Sequence, residues 1–250
     1  MKKIRYSIIL LLATFALTAN LSCEKDEVPA EEAPQEQEKT SCRFKTIHLA
    51  TGEMVFTYNE DGKITKFTTG GREATYQYNN NTIVIDEKTQ GAFYRKRTLT
   101  LNEHGFLTEL YEVYNQAGTF WHKEEFEYQN DTELVKHTKT HHNNTPSQST
   151  FTWEDGNIVS VISTPGDYEQ TYVYNTEMLH QTGDQLSFTE LTQYGGAKIY
   201  GVKNALKSIV ADDVTHTFSY QTDQDGRIIR LTRQGGGLDA TFHFSGYECD

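Results

Sequence analysis

Three histidines fall close together, His137, His141 and His142, and they are the chain's one cluster of metal-ligating type. On an extended strand His137 and His141 share a face but lie roughly 13 Å apart at about 3.3 Å per residue, too far for one ion. A helix would bring them together, yet the surrounding Thr and Lys pattern is that of a strand. A solvated strand end is expected there, and no metal site. Carboxylates are plentiful, with 35 Asp and Glu, but nothing in their spacing selects one pair as general acid and base. The chain has no G-x-S-x-G, H-E-x-x-H, P-loop or dinucleotide fingerprint. No catalytic residue and no cofactor are therefore nominated, although a site assembled from distant strands would escape such a search. Trp121 and Trp153 have flat faces that can stack on sugar rings, which makes them candidate ligand contacts; the alternative is that both fill the core.

The N-terminus fixes the compartment. Lys2, Lys3 and Arg5 precede an apolar run from Ile8 to Leu17, too short for the roughly 20 residues that span a bilayer. Residues 1–22 are an export signal. The sequence A-N-L-S-C resembles a bacterial lipoprotein signal, in which Cys23 is acylated and becomes the mature N-terminus. Ser22 fits the small residue required before that cysteine, whereas Asn20 stands where an apolar residue is usual. Cleavage after Ala19 is the alternative, and it would leave Cys23 as an unpaired thiol in an exported protein. Residues 23–41 hold seven acids and two of the four prolines. Such a segment cannot bury apolar surface and is expected to be a solvated tether. Net charge is −12, and −15 without the three cations of the signal. An acidic surface of this size repels phosphate backbones, so no nucleic-acid partner is expected, and contact with a membrane is expected only through the N-terminal lipid.

The elements that must position any site are strands. Phe56 to Phe67, F-T-Y-N-E-D-G-K-I-T-K-F, reads as strand, tight turn, strand, with Phe56 and Tyr58 on one face. The pattern recurs as Phe56/Tyr58, Tyr76/Tyr78, Leu99/Leu101, Phe126/Tyr128, Phe151/Trp153, Tyr172/Tyr174, Phe218/Tyr220 and Phe242/Phe244. The spacing is 20 to 27 residues except for one gap of 46, where a unit reads as degenerate. A period in the low twenties is two strands and two turns. With every link short, neighbouring strands are antiparallel. The predicted fold is all-β: an antiparallel meander over residues 42–250, closed or nearly closed into a porin-like but soluble barrel, which removes exposed edges and gives the 15 Tyr and 13 Phe an interior. In Phe120 to Tyr128 the aromatic face also carries His122 and Glu124, so the interior is expected to hold polar groups. Leu191 to Val210 breaks the pattern and predicts a short turn or helical excursion before a strand around Lys207 to Ala211. A membrane pore is not expected, because most strands lack a sustained apolar outer band.

With Cys23 acylated, Cys42 and Cys249 remain, near the two ends of the folded part. A disulfide between them would fasten first strand to last and contribute about 4–5 kcal/mol on the chain-entropy model; two buried thiols are the alternative.

Together, the Cys23 signal, the aromatic-turn-Gly hairpins and Y-G-x-K-N-x-L-K-S-I (Tyr200 to Ile209) resemble the Bacteroidetes lipoprotein family of unknown function described as having a porin-like fold. The acids after Cys23 resemble the signal that sends such lipoproteins to the outer face of the outer membrane. The resemblance implies a closed or nearly closed barrel anchored at the cell surface and no particular activity. The hairpins Y-N-E-D-G-K-I and D-Q-D-G-R-I-I-R-L also resemble the YD repeats of large toxin-encapsulating shells, which use many more copies. The function expected is a non-enzymatic, monomeric envelope protein that binds a glycan, a nutrient or a partner envelope protein through loops at one barrel end. The alternatives are an envelope hydrolase with a carboxylate site at the barrel mouth and a structural, YD-repeat-like spacer.

Overall fold

A computed structural model describes residues 42–237 and 239–249; the expected export signal, Cys23 and the tether of residues 23–41 lie outside them. Sixteen strands and one helix follow in order. They are β1 (Cys42–Leu49), β2 (Gly52–Tyr58), β3 (Ile64–Thr69), β4 (Arg72–Asn79), β5 (Thr82–Thr89), β6 (Ala92–Leu101), β7 (Leu107–Val113) and β8 (Trp121–Gln129). Then come β9 (Glu133–His141), β10 (Ser147–Glu154), β11 (Asn157–Thr164), β12 (Tyr168–Leu179), α1 (Gln185–Tyr194), β13 (Asn204–Ala211), β14 (Val214–Thr222), β15 (Ile228–Gln234) and β16 (Ala240–Cys249).

Every strand pairs antiparallel with its neighbours in sequence, and β1 pairs with β16 to close the barrel. Arg43 lies opposite Glu248 and His48 opposite His243, so the predicted first and last segments meet. Cys42 and Cys249 form the disulfide, with Cα atoms 4.1 Å apart. Strands follow from alternation: in β4, Ala74 and Tyr76 are buried while Glu73, Thr75 and Gln77 are exposed. Turns follow from residues that accept left-handed backbone. Gly70 and Gly71, at φ +50° and +81°, form the two-residue link between β3 and β4.

The aromatic pairs mark one strand of each hairpin, and their second members have a common task. Tyr58, Tyr78, Tyr128 and Tyr220 donate their hydroxyls to the carbonyls of Phe44, Ile64, Leu107 and Leu206, at 2.5 to 2.9 Å. Trp153 Nε1 does the same to Leu134, at 2.7 Å. Each bond ties the end of an even-numbered strand to the start of the strand before it, around one rim of the barrel. In β16 the donor is Tyr247, to the Ile228 carbonyl, and not Phe244. Gly246, at φ +66°, offsets the alternation so that both Phe244 and Tyr247 pack inward.

The gap of 46 residues needs correcting. No unit is degenerate, since all eight strand pairs are present and the extra length is α1 with its flanking segments, between β12 and β13. The helix starts at Gln185, before the predicted excursion, because Asp184 caps it: its Oδ1 accepts from the amides of Leu186 and Ser187 at 3.1 and 3.0 Å. It ends at Gly195, φ +65°, where an added Cβ would lie 2.5 Å from Ile85 Cδ1. The helix lies inside the barrel. Phe188 packs 4.4 Å from Phe242 on β16, and Tyr194 packs 5.9 Å from Phe126 on β8. Arg97 of β6 donates to the Gln193 carbonyl at 2.7 Å, placing a cation at the negative end of the helix dipole.

The outer wall is charged and rich in threonine. Lys66–Glu73, Lys123–Glu109 and Lys136–Glu127 form ion pairs between neighbouring strands at 2.7 to 2.9 Å. Ionic pairs across a hydrocarbon-facing surface are unfavourable; on this wall they are interspersed with exposed apolar side chains such as Tyr111, Ile162 and Val173, while the buried aromatic and aliphatic side chains face inward.

Candidate functional site

The helix divides the lumen into two places where chemistry-bearing groups converge. The first is a buried polar network on β5 to β9. Glu87, Glu112 and Glu124 are each about 3 % exposed or less. Burying three carboxylates is tolerable only with cations and donors beside them. Arg95 Nε and Arg97 Nη2 both reach Glu87, and Arg95 Nη1 reaches Glu112 at 2.7 Å. His122 Nε2 stands between Glu112 (3.3 Å) and Glu124 (3.1 Å), while its Nδ1 meets the Tyr114 hydroxyl at 2.5 Å. Glu124 also meets His137 Nε2 at 2.9 Å, Lys139 Nζ at 3.0 Å and the Tyr194 hydroxyl at 3.4 Å. Burial alone would raise the Glu124 carboxyl; hydrogen bonds from His122 and His137 and the Lys139 charge outweigh it and hold it well below the usual carboxylate range. Burial, then the charges of His122 and Lys139, lowers His141.

This corrects the expected solvated strand end for the histidines. The β8–β9 register sets His137 opposite Phe126 and His141 opposite His122, which turns both into the lumen. His137 stacks on Phe126 with ring centres 4.6 Å apart, and His142 instead packs against Phe120 at 4.5 Å. Two carboxylates lie within reach of one imidazole, but they do not face each other across an open site, because the imidazole itself occupies the space between them. Among the described residues no group of three or more His, Cys, Asp or Glu is arranged to hold a metal ion.

The second place is a cleft of about 640 Å³ at the barrel end where the Tyr and Trp hydrogen bonds to backbone carbonyls lie, beside the segment that returns from α1 to β13. Arg43, Tyr58, Lys63, Tyr78, Phe106 and Lys198 line it. Arg43 lies over the Tyr58 ring and Lys63 over the Tyr78 ring, each at 5.4 Å. Lys198 is carried by the return segment, which the Leu107 amide anchors by donating to the Lys198 carbonyl at 2.8 Å. Glu190, on the helix face beneath, accepts from the amides of Ile199 and Tyr200 through one oxygen at 2.7 and 2.8 Å. Burial raises its carboxyl, and those two amides only partly offset the shift.

The two sequence candidates are not brought together. Trp121 faces outward with its ring 5.8 Å from Tyr111, whereas Trp153 faces inward against the core with its indole N–H committed to the wall. Lys63, Lys198 and Glu190 were not nominated from the sequence. Lys63 sits in an ordinary hairpin turn, and the aperiodic stretch with Gly195 and Gly196 is the one signal that pointed towards the other two.

No family model matches the chain, and no curated protein matches it. Among solved structures it is similar to a porin-like protein from Bacteroides uniformis ATCC 8492, at TM-score 0.61 and 17% identity, covering 83% of this chain and 96% of that one. It is also similar to a porin-like protein from Bacteroides vulgatus ATCC 8482, at TM-score 0.56 and 13% identity, covering 81% and 97%. At these identities the likeness is one of fold.

Proposed function

We propose that the protein is a lipid-anchored, non-enzymatic binding protein of the cell envelope, acylated at Cys23, that captures a small ligand in the cleft at the barrel mouth. The cleft carries this reading: a concavity of about 640 Å³ with aromatic and apolar walls and a few convergent polar groups, on a barrel whose lumen is otherwise occupied by a helix. The carboxylates that a hydrolase would need are engaged by cations in the network or, for Glu190, by backbone amides. A pure spacer would have no use for such a cavity. The leader of residues 1–22, the A-N-L-S-C sequence and the acids that follow it support the envelope location. On the outer wall, Trp121 beside Tyr111 is a second surface suited to stacking on a sugar ring.

Binding is tested with a glycan array and a metabolite panel on the domain from residue 42, alongside W121A. Binding of one compound class, abolished by filling the cleft through Thr182→Trp at its exposed rim, is the expected result. Turnover of a glycoside or ester substrate by the same preparation would replace the binding reading with the hydrolase. Radiolabelled palmitate incorporated into the native chain, and absent from C23A, is expected for the anchor.

A further inference from the structure

We infer that the mouth cleft selects organic anions, a carboxylate or phosphate carried on a ring, and holds the anionic group between Lys63 and Lys198. This rests on the cleft being the binding site. The chain carries a net charge of −12, yet the cleft is lined by Arg43, Lys63 and Lys198, with Glu190 as the one Asp or Glu among the described residues that line it. Glu190 is engaged by the protein itself: burial raises its carboxyl, and one oxygen is taken up by the amides of Ile199 and Tyr200.

Lys45, Lys66, Lys96, Lys123, Lys136 and Lys139 each hold a carboxylate partner. Lys63 and Lys198 are exposed and have no ion-pair partner among the described residues; the same is true of Lys88, Lys203 and Lys207, but those three do not line the cleft. Lys63 is nevertheless positioned, over the Tyr78 ring, and Lys198 rides on a segment pinned from both sides, by Glu190 and by Leu107. Two cationic side chains without ion-pair partners, on separate backbone segments that line one cavity, form an anion site in an otherwise acidic molecule. Tyr58, Tyr78 and Phe106 supply ring faces for the body of the ligand. A long polyanion does not fit this site, since the acidic surface beyond the cleft repels it.

The test is calorimetric titration of the chain from residue 40, whose wall closes on itself and which leaves the acidic tether out of the assay. The probes are tri-galacturonate, glucose 6-phosphate and neutral maltotriose. At least one anion is expected to bind, about tenfold more weakly in a Lys63→Ala/Lys198→Ala double variant and more weakly again as salt rises, with the melting temperature unchanged. Maltotriose binding as tightly as the anions would overturn the anion inference and leave the cleft reading standing. Anion binding that ignores both substitutions would place the anion elsewhere. Silence from all three probes would overturn the inference together with the cleft reading.

Discussion

In the polar half of the lumen, Glu124 accepts from His122, His137 and Tyr194 and faces the Lys139 ammonium. Its side chain is about 5 % exposed, so the solvent screening that weakens surface pairs is largely absent. Replacing the carboxylate by an amide strands two imidazoles and a lysine beside a neutral group. Glu124→Gln is therefore expected to lower unfolding free energy by about 3 kcal/mol, read from the denaturant midpoint at pH 7. The sign of the pH effect follows from the depressed carboxyl. A group lower in the folded than in the unfolded state stabilises fully above the unfolded value, near 4.3, and loses that contribution as pH falls through the folded one. The wild-type chain should lose stability from about pH 5 downward. E124Q should lose distinctly less over the same interval, and parallel curves would deny Glu124 this role.

Strands and helix are held by different devices. The wall depends on side-chain bonds that bridge neighbouring strands, such as Tyr78 to the Ile64 carbonyl at 2.9 Å. Tyr78→Phe keeps the ring and removes the bond, so a loss of about 1 kcal/mol is expected in equilibrium denaturation. The plug depends on Asp184, which is fully buried and accepts from Gln181, Leu186 and Ser187 while facing His180 Nδ1 at 2.6 Å. Asp184→Ala should destabilise α1 by about 2 kcal/mol. Amide exchange across 185–194 should quicken while the central wall amides keep their protection. Equal acceleration everywhere would mean that helix and wall unfold as one unit.

For the molecule as a whole, closure is the decisive event. Six residue pairs join β1 to β16, and the Cys42–Cys249 disulfide sits at the end of that seam, across a sequence separation of 207. A loop so long gives a chain-entropy contribution of about 5 kcal/mol. Reduction, or Cys42→Ser with Cys249→Ser, should lower the denaturant midpoint accordingly and speed exchange first in β1 and β16. A midpoint indifferent to reductant would show that strand pairing alone holds the seam. The charged outer wall carries a separate expectation: the domain from residue 42 should stay in solution without detergent and elute as a discrete species. Partition into lipid vesicles through the wall would contradict the orientation of its side chains.

The sequence by itself determined the wall. Inward aromatics two apart, turn residues between them and a period in the twenties are local properties, written in consecutive residues, and they suffice for antiparallel hairpins. Closure was legible because a meander of that length with two cysteines near its ends has few other ways to hide its rings and edges. What only the tertiary structure decided lies across the lumen. The placing of α1 inside the barrel, the convergence of Glu112, His122, Glu124 and His137, and the meeting of Arg43, Lys63 and Lys198 at one mouth depend on register and barrel curvature. These contacts join residues that are neighbours only after the sheet has curled, and no spacing along the chain encodes the distance across a closed wall.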